Sequence, residues 1–376
     1  MAVVAGLVAT VFVVLRLFIA ADGDVSKFVV AGSAHTDAAQ VEPVIHVFDS
    51  DGYDGQFYWR LATNPAKLDL ARYRGVQLDS PLRLSRFGYP AMAWVVAAGQ
   101  AAWVKWSLVI VNIFSMAVLA ASGAWLARSR GRPALAGLLV ASSSGLVMSL
   151  SRDLGEVTMV AALVGGVALM ERRRYQLAGA CWLLACLTHE QALFCVVPYA
   201  AYRGVQMLRR RAWALTAPDL PWIMALAAFA VWQSACRVIL GKFPVLESGG
   251  ETIDLPMRGF VSQVSYWAHH GLARQQILVV PQFVLLTTLV VFAFRSLASL
   301  APTDQWLGWA LAGATATAAS LSKIVWLGPA ELRQIVVLST IAWLVIVVSN
   351  RRVPAVLVMA TCAVWLMTAA LRIVAV

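Results

Sequence analysis

Charge is scarce in this chain. Of 376 residues, 13% are Asp, Glu, Lys or Arg and 60% are hydrophobic, with a mean hydropathy of +0.74. That balance excludes a soluble globular domain. Cysteine is sparse too: Cys181, Cys186, Cys195, Cys236 and Cys362 all fall in apolar segments, with no CxxC pair. They read as small core hydrophobes and not as disulfides or metal ligands. No Walker-type loop, GxSxG elbow, dinucleotide fingerprint or heptad or solenoid repeat stands out. The first residues are apolar without a basic lead-in, and Arg16 interrupts the run, so a retained first helix is expected over a cleaved signal peptide.

What is present is a series of apolar runs, several long enough for a membrane span. The fold class expected is therefore all-α, a polytopic membrane bundle forming a single integral membrane domain over 1–376. A net charge of +11 is compatible with a nucleic-acid partner. The basic residues, however, come in short clusters between apolar runs, at Arg128/Arg130/Arg132, Arg172–Arg174, Arg209–Arg211, Arg295 and Arg351/Arg352. That is positive-inside patterning, and no nucleic-acid partner is expected.

Runs at 2–20, 106–127, 154–170, 177–188 and 192–202 and two later hairpins bring every cluster to one side if 87–100 is juxtamembrane. The expectation is about eleven spans in the cell (inner or plasma) membrane, N-terminus cytoplasmic and C-terminus out. Two polar segments then lie outside: a first loop with its juxtamembrane segment, 22–105, and a second loop, 241–276.

The first loop holds DSDGYDGQFYWRLA (49–62), three acids in six residues interleaved with aromatics. Acids held at the mouth of a membrane bundle are costly, and they commonly mark chemistry or transport. Asp54 there suits a general base for a hydroxyl; it could also cap a helix over 56–62. Asp49-Ser50-Asp51 has a spacing that could hold a divalent cation beside a phosphate, although no cofactor or metal is expected. Arg83 and Arg86 in PLRLSRFGYP (81–90) could hold a lipid phosphate or snorkel to headgroups. Arg333 has the same two readings.

His189 and Glu190 form an ionisable pair between two short apolar segments, functional or structural. Arg152 and Asp153 read as a turn whose side chains pair. His269 and His270 lack companions at metal-ligand spacing and read as loop histidines.

The order of one helix, a long acid- and aromatic-rich outer loop, a juxtamembrane segment and then many helices resembles the GT-C glycosyltransferases. YDGQFYWR (53–60) resembles the YDGQFYYR-type motif of bacterial glycosyltransferase-like membrane proteins. A looser likeness is to the GPI-mannosyltransferase type, through Tyr53-Asp54, Phe57-Tyr58 and Phe87–Pro90. The likeness covers the first half and extends to LTHEQALF (187–194), where His189 stands in a turn that usually carries Arg.

What the resemblance implies is an inverting transferase on the outer face. It would move a sugar from a polyprenyl-phosphate donor to a glycan, glycolipid or protein acceptor. Asp54 would be the catalytic base with Asp51 as the alternative. Asp49, Tyr58, Trp59, Arg60, Arg86, His189, Glu190 and Arg333 would contact substrate, Tyr58 and Trp59 by stacking on sugar. The donor tail and membrane lipid would lie between helices. The rival expectations are a flippase for a polyprenyl-linked glycan and a non-catalytic assembly partner.

Overall fold

The computed structural model describes residues 1–41, 44–211, 213–247, 253–271, 279–326 and 331–375. It is a helical protein, with one two-residue parallel strand pair among the described residues, Ala31–Gly32 with Val47–Phe48. Among the described residues, five helices are long and apolar enough to cross a membrane. Two shorter apolar helices, Tyr175–Thr188 and Arg333–Val348, accompany them. The expectation of about eleven spans goes beyond these.

The helices that organise the molecule are α1 (Ala2–Ile19), α2 (Asp54–Thr63), α3 (Pro81–Ser85), α4 (Gly88–Val96), α5 (Val104–Ser129), α6 (Ser144–Leu150), α7 (Glu156–Glu171) and α8 (Tyr175–Thr188). They continue with α9 (Leu193–Arg210), α10 (Leu220–Leu240), α11 (Arg258–His270), α12 (Val279–Ser296), α13 (Trp306–Ala319), α14 (Val336–Val348) and α15 (Ala355–Val374).

Their burial sorts them into layers. Every residue of α14 is buried, and α7 is buried from Glu156 to Ala168. Helices that are apolar on all sides belong in the middle of a bundle. By contrast α1, α10, α12 and α15 leave Leu7, Phe18, Val231, Val284, Met359 and Leu366 exposed. An apolar outer surface of that kind is stable against lipid tails and costly in water.

The juxtamembrane segment expected over 87–100 is the short helix α4, which packs on α5 and α2. The segment expected as a second outer loop, 241–276, is described only in part. Residues 248–252 and 272–276 lie outside the described residues, and much of the rest is helical, as α11. His269 and His270 end α11, exposed, with Nδ1 on the carbonyls of Ser265 (2.7 Å) and Tyr266 (3.1 Å).

Candidate functional site

The loop before α2 is set by close backbone approaches. Gly52 has φ +69°, in the left-handed region that favours glycine, and a Cβ there would fall 2.4 Å from the Gly32 nitrogen. A Cβ on Gly55 would sit 2.6 Å from the Val29 carbonyl oxygen and 2.7 Å from that of Arg152. That glycine lets the start of α2 press against the turn between α6 and α7. Gln56 ties the loop: its Oε1 accepts from Gly32 N (3.1 Å) and Thr36 Oγ1 (2.7 Å), and its Nε2 donates to the Asp51 carbonyl (3.1 Å).

Asp54 is the first residue of α2, and Tyr53 occupies the cap position. An acid in a first turn is favoured by the helix dipole. The Asp54 carboxylate is buried among three guanidiniums. Arg83 Nη1 lies 2.7 Å from Oδ1, and Arg86 Nη1 and Arg333 Nη2 each lie 3.2 Å from Oδ2. Burial would raise its pKa, but Arg83, Arg333 and Arg86 outweigh that and hold it well below the usual carboxylate range.

Each arginine is shared with a second acid. Arg86 grips Glu190 with two bonds, Nε–Oε2 at 3.0 Å and Nη2–Oε1 at 2.6 Å. Arg83 does the same to Asp79, at 2.9 and 3.1 Å. Arg333 pairs with Glu156 and donates to the Tyr53 hydroxyl at 3.1 Å. Its guanidinium and that of Arg152 lie over the Tyr53 ring, 4.7 and 4.2 Å from the centroid. Glu156 opens α7 fully buried and also accepts from Ser149 Oγ at 3.2 Å. The sequence reading passes over it, although a lone acid heading an apolar run is a signal of its own.

His189 and Glu190 adjoin this network. Burial and the Arg86 charge lower the His189 pKa to about 4. The ring is then neutral, and Nδ1 accepts from the Gln191 amide at 3.3 Å. Its 3.5 Å approach to Glu190 is therefore not an ion pair. That tautomer puts the proton on Nε2, which is buried without a partner among the described residues. The surroundings of Glu190 would raise its pKa, but Arg86 and His189 lower it to about 2.

The other candidates fall into two groups. The Tyr58 hydroxyl and Trp59 Nε1 are buried without a hydrogen-bond partner among the described residues, and Tyr58 meets Tyr89 edge-on at 5.4 Å. Burial pushes the Tyr58 phenol up, so it keeps its proton. Arg60 is also buried. Its Nη2 bonds the Asp69 carboxylate (3.2 Å) and the carbonyls of Asp69 and Ala71 (2.9 and 2.7 Å), which pins the chain after α2.

Asp49 and Asp51 are exposed; Asp49 accepts from Ser33 Oγ at 3.2 Å. Among the described residues no group of three or more His, Cys, Asp or Glu side chains gathers to hold a metal. Arg152 and Asp153 do not pair as expected. Arg152 turns onto Tyr53, whereas Asp153 is fully buried with neither oxygen hydrogen-bonded among the described residues.

A cavity of about 150 Å³ opens beside the network. Its polar end is Arg86, Glu190, Gln191 and Gln334, and its walls include Phe194, Leu321, Val337 and Leu338. Such a space fits a ligand with an anionic head and an apolar body. The network next to it offers guanidiniums for the anion and a fixed carboxylate for a proton. Comparison with protein-family models, with curated proteins and with solved structures found no match.

Proposed function

We propose that this protein is an inverting glycosyltransferase that takes its sugar from a polyprenyl-phosphate donor on the outer face of a membrane it crosses about eleven times. The observation that carries the reading is Asp54 held at the head of α2 by Arg83, Arg86 and Arg333, beside a cavity that is polar at one end and apolar along its walls. The YDGQFYWR likeness to GT-C glycosyltransferases supports it.

The chemistry follows from charge. The acceptor hydroxyl attacks the anomeric carbon from the face opposite the phosphate, the carbon–oxygen bond to phosphate breaks, and the lipid phosphate leaves with the electron pair. The phosphate gains negative charge as it leaves, and fixed guanidiniums stabilise that charge where it develops. Asp54 takes the hydroxyl proton. Clamped by three arginines it is a weak base. A donor phosphate that engages Arg86 and Arg333 draws them away from Asp54 and raises its basicity only when substrate is present. Tyr58 and Trp59 are buried in α2 and do not line the cavity, so the stacking role expected of them draws no support from this geometry. The acceptor is a glycan, glycolipid or protein.

One observation favours a non-catalytic assembly partner instead: both Asp54 oxygens are already engaged, as in a purely structural lock. A transfer assay separates the two. Purified protein in lipid nanodiscs is offered a panel of radiolabelled polyprenyl-phosphate sugars with envelope glycan acceptors, and the product anomer is read by NMR. Transfer with inversion supports the enzyme. Transfer with retention of configuration, or donor binding with no transfer to any acceptor, contradicts it.

A further inference from the structure

Three helices that begin at the Asp54 network end together elsewhere. Glu156 starts α7, Glu190 precedes α9 and Arg333 precedes α14. Their far ends, Glu171, Arg210 and Val348, all line a second cavity of about 450 Å³. At 1.5 Å per residue these helices separate the two places by roughly 20–27 Å, most of a bilayer's hydrocarbon thickness. The second cavity is therefore at the opposite end of the bundle, among the basic clusters, and three times larger than the one beside Asp54.

Its lining combines cation and amphipathic ring. Arg173 and Arg210 are exposed and in no ion pair among the described residues. Tyr175, Tyr202 and Gln206 add polar groups, and Trp306 forms buried wall. The remaining charges turn to protein partners. Arg130 engages both Glu171 and Asp304, and Arg203 holds Asp219 at 2.7 and 3.0 Å. Two guanidiniums are thus left to face an incoming anion.

An apolar track leads away from the opening. Trp309 on α13, 43% exposed, stands edge-on to Tyr202 at 6.2 Å, and Val197 and Leu208 on α9 are exposed as well. A soluble anion would not need that track, whereas an acyl chain would lie on it. We propose that this end of the bundle carries a second binding site, for the phosphate headgroup of an anionic membrane phospholipid. Arg173 and Arg210 contact the phosphate, and the α9–α13 surface contacts a chain. Basic pockets between spanning helices suit such headgroups.

The test is lipid retention by the full chain from nanodiscs of phosphatidylcholine with a minor fraction of phosphatidylglycerol, read by native mass spectrometry. Wild type should retain phosphatidylglycerol at least about tenfold over phosphatidylcholine, and Arg173→Ala with Arg210→Ala should lose that preference. Arg128→Ala with Arg352→Ala, basic but outside the cavity lining, should keep it. The thermal midpoint of the first pair should be unchanged, because neither side chain is in an ion pair among the described residues. Arg173→Lys with Arg210→Lys should recover part of the preference. Equal retention of both lipids overturns the site, as does equal loss in both alanine pairs. Inorganic phosphate bound as tightly as phosphatidylglycerol overturns the lipid as its source.

Discussion

At the residue scale the account rests on how buried charges are compensated. Arg333 holds two carboxylates, Asp54 and Glu156, from positions far apart in sequence. Replacing Glu156 with Gln leaves a buried guanidinium with less opposing charge, and breaking such a pair costs up to about 3–5 kcal/mol. Adding Arg333→Met to Glu156→Gln should return part of that loss. Denaturation midpoints in detergent for the two single variants and the double give the coupling directly.

His189 supplies a pH signature. Its folded pKa is depressed from 6.5 to about 4, so the unfolded chain binds its proton first. The stability this neutral ring contributes is complete above about 6.5 and is lost as pH falls toward about 4. Thermal midpoints of wild type should therefore drop more steeply across that window than those of His189→Gln. Parallel curves would contradict a neutral, buried His189.

Asp54, Arg86, Glu190 and Arg333 stood out in the sequence because a charge in an apolar chain is expensive and must have a purpose. Their assembly into one network was not legible, since it depends on which helix ends meet. Asp49 and Asp51 show the reverse: as acids they look alike to Asp54 in the sequence, yet the left-handed turn at Gly52 leaves them on the surface.

At the element scale, the start of α2 is closely packed against backbone. Gly55→Ala would place a methyl 2.6 Å from the Val29 carbonyl and 2.7 Å from that of Arg152, and neither backbone atom can step aside cheaply. A cost of about 1–3 kcal/mol is expected. The same shift would carry Asp54 out of reach of its arginines, so turnover should fall along with the melting temperature. An unchanged melting temperature would mean that the loop yields more easily than this packing allows.

Hydropathy marked most of the long helices, because apolar runs end where arginines begin. It did not mark α11, where polar and aromatic residues alternate in FVSQVSYWAHH and no apolar run announces a helix. Nor could it rank α7 and α14 as inner helices against α1 and α15 as outer ones. All four are apolar over most of their length, and only packing tells them apart.

At the scale of the whole molecule, the two polar ends are joined by helices that cover most of a bilayer's hydrocarbon depth, roughly 20–27 Å. The orientation we propose from the positive-inside pattern has the Arg173 end in the cytoplasm and Asp54 outside. With Cys181, Cys186, Cys195, Cys236 and Cys362 all changed to Ser, Asp51→Cys should react with a membrane-impermeant maleimide from outside intact cells, and Arg173→Cys only after permeabilisation. Labelling of both from the same side would overturn the orientation and with it the outer-face reaction.

The central claim is that Asp54 accepts the proton in sugar transfer. Its most direct test measures turnover and donor retention side by side for wild type and Asp54→Asn in nanodiscs, using whichever polyprenyl-phosphate sugar wild type accepts. The account predicts a fall in turnover of about 10²–10⁴-fold, with the donor still bound through Arg86 and Arg333. Turnover within a few-fold of wild type would contradict it.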